Sequence, residues 1–282
     1  MSPGLLLFLA LLWAGNARLV VSERTVPVLG ASPRAQLTIA QLSDIHGRRF
    51  GRGGNRLLRK LGRHAPDIVV VTGDLVSIGQ GRWDQTVRML ARVAARYPVL
   101  YVRGNHERMR ADCSEIEAAL RDSGIVVLTE ERYDFERNGL RVAFLGMPDL
   151  DSYGSSLHRF ALAARKLAGG AADAPVRVLL SHRPELVGVY ASLGVDVVLA
   201  GHAHGGQVRW PGGGGLYAPD QGLFPRYTGG AYLLSDPEGR RTTLIVSRGA
   251  GGNPLLPRIF NPPEVVLVRL TAGSASASRA QR

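Results

Sequence analysis

Two imidazoles stand two residues apart in the run Leu-Ala-Gly-His-Ala-His-Gly-Gly-Gln at residues 199–207, where His202 and His204 follow an apolar stretch. Imidazole nitrogen is a ligand for zinc, iron and manganese, and the glycines let a second ion or a substrate approach the main chain. Four other runs carry related chemistry: Ser-Asp-Ile-His-Gly with Asp44 and His46, Thr-Gly-Asp-Leu with Asp74, Gly-Asn-His-Glu with Asn105, His106 and Glu107, and Ser-His with His182. Five of the seven histidines fall in these runs, which leaves only His64 and His158 as surface residues. Carboxylate, amide and imidazole donors without a thiolate suit a pair of borderline-hard divalent ions better than a structural zinc site. The carboxylates and imidazoles also outnumber what one tetrahedral ion uses. Such a pair is expected to share one bridging carboxylate and to hold a water ionised to hydroxide near neutral pH. That hydroxide would attack phosphorus in line, and a nearby imidazolium would protonate the leaving alkoxide.

Convergence of these groups requires that each run end a strand. Residues 36–42 alternate apolar and polar positions, residues 68–72 are continuously apolar, and residues 99–102 follow Pro98 in the same manner, so all three read as strands. Further strands are expected at residues 141–145, 176–180, 196–200, 243–246 and 265–270. Between them, residues 55–63 set Leu57, Leu58 and Leu61 on one helical face, and Trp83, Val87, Leu90 and Ala94 repeat that pattern. Ser114 with Glu117 spells a capping box for a helix that stops at Gly124, and helical patterns occupy residues 156–167 and 184–193. The alternation implies an α/β layered fold with a mixed sheet or two packed sheets. In such sheets ligands gather outside the carboxyl ends of the strands, where all the polar runs lie.

The 282 residues suffice for one large domain or two small ones. A formal charge of +12 implies anionic partners: phosphorylated substrates, nucleic acid or an acidic membrane surface. The basic residues read as scattered, with no run of five or six. Cys113 is the only cysteine, so no intramolecular disulfide can form. Residues 1–21 read as a short hydrophobic anchor or signal-like segment, 22–35 as a linker with Pro27, Gly30 and Pro33, 36–271 as the catalytic domain and 272–282 as a disordered tail. Arg18, Arg24 and Arg34 behind the apolar stretch favour a domain held on the cytoplasmic face of the inner membrane, the alternative being export by an N-terminal signal.

The series Asp44-x-His46, Gly73-Asp74, Gly104-Asn105-His106-Glu107, His182, Gly201-His202-x-His204 resembles the calcineurin-like metallophosphoesterases. The resemblance covers residues 36–270 and implies a four-layer α/β/β/α sandwich with two mixed sheets and a di-metal centre at the sheet edge. It implies one metal on Asp44, His46, Asp74 and His204, a second on Asp74, Asn105, His182 and His202, and Asp74 as the bridge. His106 then looks like the family's histidine beside the leaving group. The ligand set accepts manganese, iron, zinc or cobalt.

Gly205-Gly206-Gln207, Ser247-Arg248-Gly249, Pro257-Arg258 and Pro262-Pro263-Glu264 are similar to a bacterial membrane-associated branch that includes UDP-2,3-diacylglucosamine diphosphatase-like enzymes. The sequence departs from that branch at Gly146-Met147-Pro148-Asp149, where an acidic pair is expected directly after the glycine, and at the basic Gly47-Arg48-Arg49. Arg48 and Arg49 are candidate phosphate-binding residues, since guanidinium offers paired planar donors. Asp149 and Asp151 could order a water or a sugar hydroxyl, although turn residues of this kind are mostly structural. The loop after Gln207, with Trp210, Leu216, Tyr217, Leu223, Phe224 and Tyr227, suits an acyl-bearing substrate, a membrane interface or a packed lid. The expectation is a hydrolase of a phosphodiester or pyrophosphate bond in a lipid-linked or envelope precursor. A nuclease, or a catalytically silent membrane-tethered binding protein, is the alternative. No aromatic-and-basic platform supports nucleic acid as a partner, and no segment demands an obligate protein partner.

Overall fold

Strands end where the polar runs begin, and their residue alternation decides which layer each face meets. The computed structural model describes residues 2, 4, 18–29, 35–210, 213–252 and 258–273. In chain order the strands are β1 Val20–Val28, β2 Gln36–Leu42, β3 Ile68–Thr72, β4 Val99–Val102, β5 Val126–Val127, β6 Glu131–Arg137, β7 Leu140–Gly146, β8 Val176–Leu180, β9 Val197–Ala200, β10 Tyr217–Ala218, β11 Gly222–Leu223, β12 Gly230–Ser235, β13 Arg241–Val246 and β14 Glu264–Ala272. The helices are α1 Asn55–His64, α2 Asp84–Ala94, α3 Asn105–Arg108, α4 Cys113–Asp122, α5 Leu157–Gly169 and α6 Val187–Ala191.

Two six-stranded mixed sheets, ordered β1-β14-β2-β3-β4-β5 and β12-β13-β9-β8-β7-β6, face each other. Leu37 and Ile39 of β2 point between them, where they join Ile68 and Val70, and Val142, Phe144, Val178 and Leu199 come from the opposite sheet. Ala40 and Leu42, on the other face of β2, meet Leu57, Leu58 and Leu61 of α1 and Val87 and Leu90 of α2. On the far side, Leu145, Leu179 and Val198 pack against Phe160 and Ala164 of α5 and Tyr190 of α6. The result is the α/β/β/α sandwich. Continuous apolar runs such as β3 occur because a central parallel strand is buried on both faces.

Three expectations are corrected. The linker expected at residues 22–35 is, over its first part, strand β1, which pairs in parallel with β14 from Val20↔Glu264 to Val28↔Ala272. Pro27 is tolerated there because β1 lies at the sheet edge, where a missing N–H breaks no ladder. Ser114 caps nothing: α4 starts at Cys113, and Glu117 instead pairs with Arg103 at 2.6 Å. The helix expected over residues 184–193 shrinks to Val187–Ala191. Of the anchor expected over residues 1–21 only residues 2, 4 and 18–21 are described, the last two already in β1, and of the tail expected over 272–282 only residues 272–273, the first of them the end of β14; the rest lies outside the described residues. Among the described residues, no helix is long and apolar enough to cross a membrane.

Val26 and Val28 of β1 are almost fully buried, at 3% and 2% exposure. Burying each is worth about 1.5–3 kcal/mol. Deleting residues 1–34 should therefore lower the melting temperature by about 10 °C relative to deleting residues 1–17, which leaves β1 intact. Thermal denaturation of the two truncations checks this.

Candidate dimetal centre

The loops after β2, β3, β4, β8 and β9 close over the sheet edge and hydrogen-bond to one another. Asp44 N–H donates to the Gly73 carbonyl, and His46 N–H to that of Asp74, both at 3.0 Å. His202 N–H donates to the Asp44 carboxylate at 3.0 Å, and His106 N–H to Asp74 Oδ1 at 3.0 Å. The turns are tight enough that Asp44, His46, Asp74, His202 and His204 all have positive φ, between 48° and 65°. Left-handed backbone outside glycine is costly and persists where surroundings over-determine it, and it clusters at functional sites. Gly201 has no room for a side chain, since an added Cβ would lie 1.8 Å from Ser43 Oγ and 2.5 Å from Asp44 Oδ2.

Two nests result, each of donor atoms within 4.8 Å of one another: Asp44, His46, Asp74 and His204 in one, Asp74, His182 and His202 in the other. Asp74 belongs to both. Its Oδ2 lies 3.6 Å from His46 Nε2, 3.5 Å from His182 Nε2 and 3.8 Å from His106 Nε2. Asn105 Oδ1 completes the second nest, 3.0 Å from His182 Nε2. All seven residues expected as ligands thus come together, and His106 stands at the rim with 30% of its side chain exposed.

The tautomers show that these nests fit cations. His182 Nδ1 faces the Thr72 carbonyl at 2.8 Å and must carry a hydrogen, which leaves a lone pair on Nε2. His202 Nε2 faces Asp220 Oδ2 at 2.9 Å and must do the same, which leaves a lone pair on Nδ1. Those two lone pairs point at each other across 3.1 Å. In the first nest, His46 Nε2 and His204 Nε2 are 3.3 Å apart. Facing lone pairs repel unless a proton or a metal cation lies between them. Donor atoms about 2.1 Å from a divalent ion are themselves roughly 3–3.5 Å apart, and these spacings match.

Charge within the site follows the same logic. Burial pulls His204 well below the usual imidazole range, with His46 and Arg258 adding to the effect, so it stays neutral and able to ligate. Burial also lowers His182, but Asp74, through its charge and a hydrogen bond, and then Asp44 and Asp149 lift it well above the usual range. That proton occupies the lone pair a metal would take. Burial would raise Asp74, yet His182, His46 and His106 hold it well below the ordinary carboxylate value.

A family model for calcineurin-like phosphoesterases matches residues 37–206, a span that contains all seven expected ligands and His106. The chain belongs to the calcineurin-like phosphoesterase family. It is similar to a metallophosphoesterase of Aquifex aeolicus, 31% identical over 212 residues that cover 74% of each chain. A metallophosphoesterase of Campylobacter jejuni is 28% identical over 258 residues, 90% of this chain and 64% of that protein. A transmembrane protein with a metallophosphoesterase domain from Bos taurus is 27% identical over 206 residues, 67% of this chain and 45% of that one. Among solved structures, the NAD nucleotidase of Haemophilus influenzae aligns with a TM-score of 0.51 at 16% identity, covering 76% of this chain and 51% of that one, a likeness of fold. The chain is a phosphoester hydrolase with a candidate dimetal site.

Several further residues support the phosphoesterase site, and of these Arg183, Asp220 and Asn261 carry no obvious mark in the sequence. Glu107, fully buried, accepts from the N–H groups of Asp74 at 3.0 Å, Val76 at 2.8 Å and Gly104 at 3.0 Å, and so joins the loops after β3 and β4. Burial and then the Asp74 charge push its carboxyl up to about 7. Arg183, beside His182, spans three carboxylates: Asp149 at 2.9 Å, Asp151 at 2.8 Å and Asp220 at 2.7 Å. Asp149 and Asp151 are therefore a structural clamp. Asn261 Nδ2 donates to the His204 carbonyl at 2.7 Å, and the buried Arg258 lies beside it. Arg248 pairs with Glu264 at 2.7 Å and anchors the loop whose Gly251 N–H donates to the Asp44 carbonyl at 2.9 Å.

The two arginines expected at the phosphate differ. Arg49 lines a cavity of about 580 Å³ together with His46, His106 and His204. Arg48 turns away, donating to the Ala250 carbonyl at 3.1 Å and lying 5.4 Å from the centre of the Phe50 ring. It does not line that cavity.

Proposed function

We propose that this phosphoesterase hydrolyses a phosphodiester or pyrophosphate bond in an amphiphilic substrate of the kind that UDP-2,3-diacylglucosamine exemplifies. The observation that carries the hydrolytic part is Asp74, one buried carboxylate shared by two nests of carboxylate, imidazole and amide donors. Two divalent cations, of manganese, iron, zinc or cobalt, would supply Lewis acidity there and bring the pKa of a water near neutrality. Asp44, His46 and His204 would hold one, and Asn105, His182 and His202 the other, with Asp74 common to both. His106, its main chain tied to Asp74, presents its ring at the rim, where a leaving oxygen would depart.

The amphiphilic part rests on the hairpin β10–β11. Leu223 and Phe224 are 68% and 71% exposed, and Trp210 and Tyr217 are also exposed, so these side chains do not pack down as a lid. The hairpin is tied to the centre because Asp220, in its turn, accepts from His202. Exposed apolar side chains on a hairpin whose turn is fixed to the metal site suit a substrate with an acyl chain, or contact with a bilayer interface. The name of the bovine relative favours the same membrane association.

The test is hydrolysis by the full chain, stripped of metal and reloaded with manganese, of bis-p-nitrophenyl phosphate and of an acylated nucleoside diphosphate. Metal-dependent turnover of the diester, with the acylated diphosphate cleaved at the higher kcat/KM, is expected. Turnover of neither would leave a silent binding protein. Preference for an oligonucleotide would make it a nuclease.

A further inference from the structure

The cavity at the dimetal centre is the head of a longer trough. It shares Gly47, Arg49, Gln85 and Thr86 with a neighbouring cavity of about 750 Å³, which in turn shares Arg48, Arg49, Gly51 and Arg56 with a third of about 630 Å³. The third ends at Arg18 and Leu19, just before β1 begins. No carboxylate lines either distal cavity.

The wall of the far cavity is one face of α1. Arg56, Arg59, Lys60 and Arg63 recur at spacings of three and four and so form one stripe, while Leu57, Leu58 and Leu61 face the core. Like charges at those spacings repel and weaken a helix. Some arginines elsewhere in the molecule find carboxylates: Arg88 pairs with Asp84, Arg103 with Glu117, Arg110 with Asp112, Arg132 with Asp173 and Arg248 with Glu264. Along the trough, Arg49, Arg52, Arg56, Arg59, Lys60 and Arg63 have no carboxylate within ion-pair distance among the described residues, and neither does Arg18. This solvent-exposed cationic row, without carboxylate neighbours, runs on from the hydrolytic centre along contiguous cavities.

We propose that the trough is an accessory anion site, which holds a second phosphate or other anionic group of the substrate while the scissile phosphate lies at the paired nests. The proposal rests on the hydrolase reading for its purpose, and its test separates the two. The guanidinium groups supply planar paired donors for phosphate oxygens, and their attraction is screened by salt.

The experiment uses the manganese-loaded full chain, the triple variant Arg56→Glu, Arg59→Glu, Arg63→Glu, and inositol hexasulfate, a polyanion whose sulfates ligate metals weakly. Wild type is expected to bind it, and more weakly as salt rises. The variant should bind it at least tenfold more weakly while keeping kcat and KM for the singly charged diester within twofold and an unchanged melting temperature. A second arm compares sedimentation with phosphatidylglycerol and phosphatidylcholine vesicles. Variant-sensitive binding to the first shows that a lipid headgroup can be the anion, and its absence leaves a soluble phosphate group. Equal affinity of wild type and variant for the polyanion overturns the accessory site. Tighter binding of a single-stranded oligonucleotide than of the polyanion at every salt concentration would replace it with a nucleic-acid groove. Loss of diester hydrolysis in both proteins would instead sink the hydrolase reading. The conservative triple Arg56→Gln, Arg59→Gln, Arg63→Gln, expected to show the same weakening, covers the case in which charge reversal prevents folding.

Discussion

Asp74→Asn should lower kcat for diester hydrolysis by about a thousandfold or more and should reduce bound metal from two ions per chain to one or fewer. The substitution conserves shape: Asp74 is 1% exposed, and an amide oxygen can still accept from His106 N–H as Oδ1 does at 3.0 Å. What it removes is the negative charge shared by both nests, 3.6 Å from His46 Nε2 and 3.5 Å from His182 Nε2. A neutral amide is a poor bridge between two cations, and removal of one well-placed electrostatic contribution alone costs on the order of a hundred- to a thousandfold in rate. Steady-state kinetics with elemental analysis of the same sample checks both halves. Normal metal content with lost turnover would show that Asp74 acts on the reaction and not by holding the ions together.

His106→Ala should produce the second large effect, and the size should depend on the leaving group. His106 Nδ1 accepts from Ile78 N–H at 3.2 Å, so the hydrogen sits on Nε2, which faces the rim near Asp74. A hydrogen donor at that place assists departure of an alkoxide, an effect worth about a hundred- to ten-thousandfold. p-Nitrophenolate leaves without assistance. The variant should therefore lose at least about a hundredfold in kcat with an alkyl diester and about tenfold or less with the p-nitrophenyl ester. Equal losses with both would place His106 on a non-leaving phosphoryl oxygen.

Much of the site was legible because its chemistry depends on residues that local sequence marks. Asp44, Asp74 and His202 each follow a strand whose period or apolar run is unambiguous, and glycines stand beside them where the backbone is crowded, as at Gly201 against Ser43. The supporting residues were less legible since their partners are distant in the chain. Arg183 could be suspected only from its place beside His182, and Asp220, which fixes the tautomer of His202, sits in a loop with no pattern of its own. Strand β1 was hidden for a similar reason: it buries one face only, contains Pro27, and its partner β14 begins at Glu264. The basic residues read as scattered along the chain, yet Arg56, Arg59, Lys60 and Arg63 carry helical spacing, which would have shown the cationic stripe had charge been scored by period and not by run length.

The whole account turns on whether two cations share Asp74, and anomalous diffraction from crystals of the manganese-loaded protein tests this most directly. Two peaks are expected, one among Asp44, His46 and His204 and the other among Asn105, His182 and His202, with Asp74 touching both. A single peak, or a second one displaced into the outer cluster of Glu185, His202 and Asp220, would contradict it.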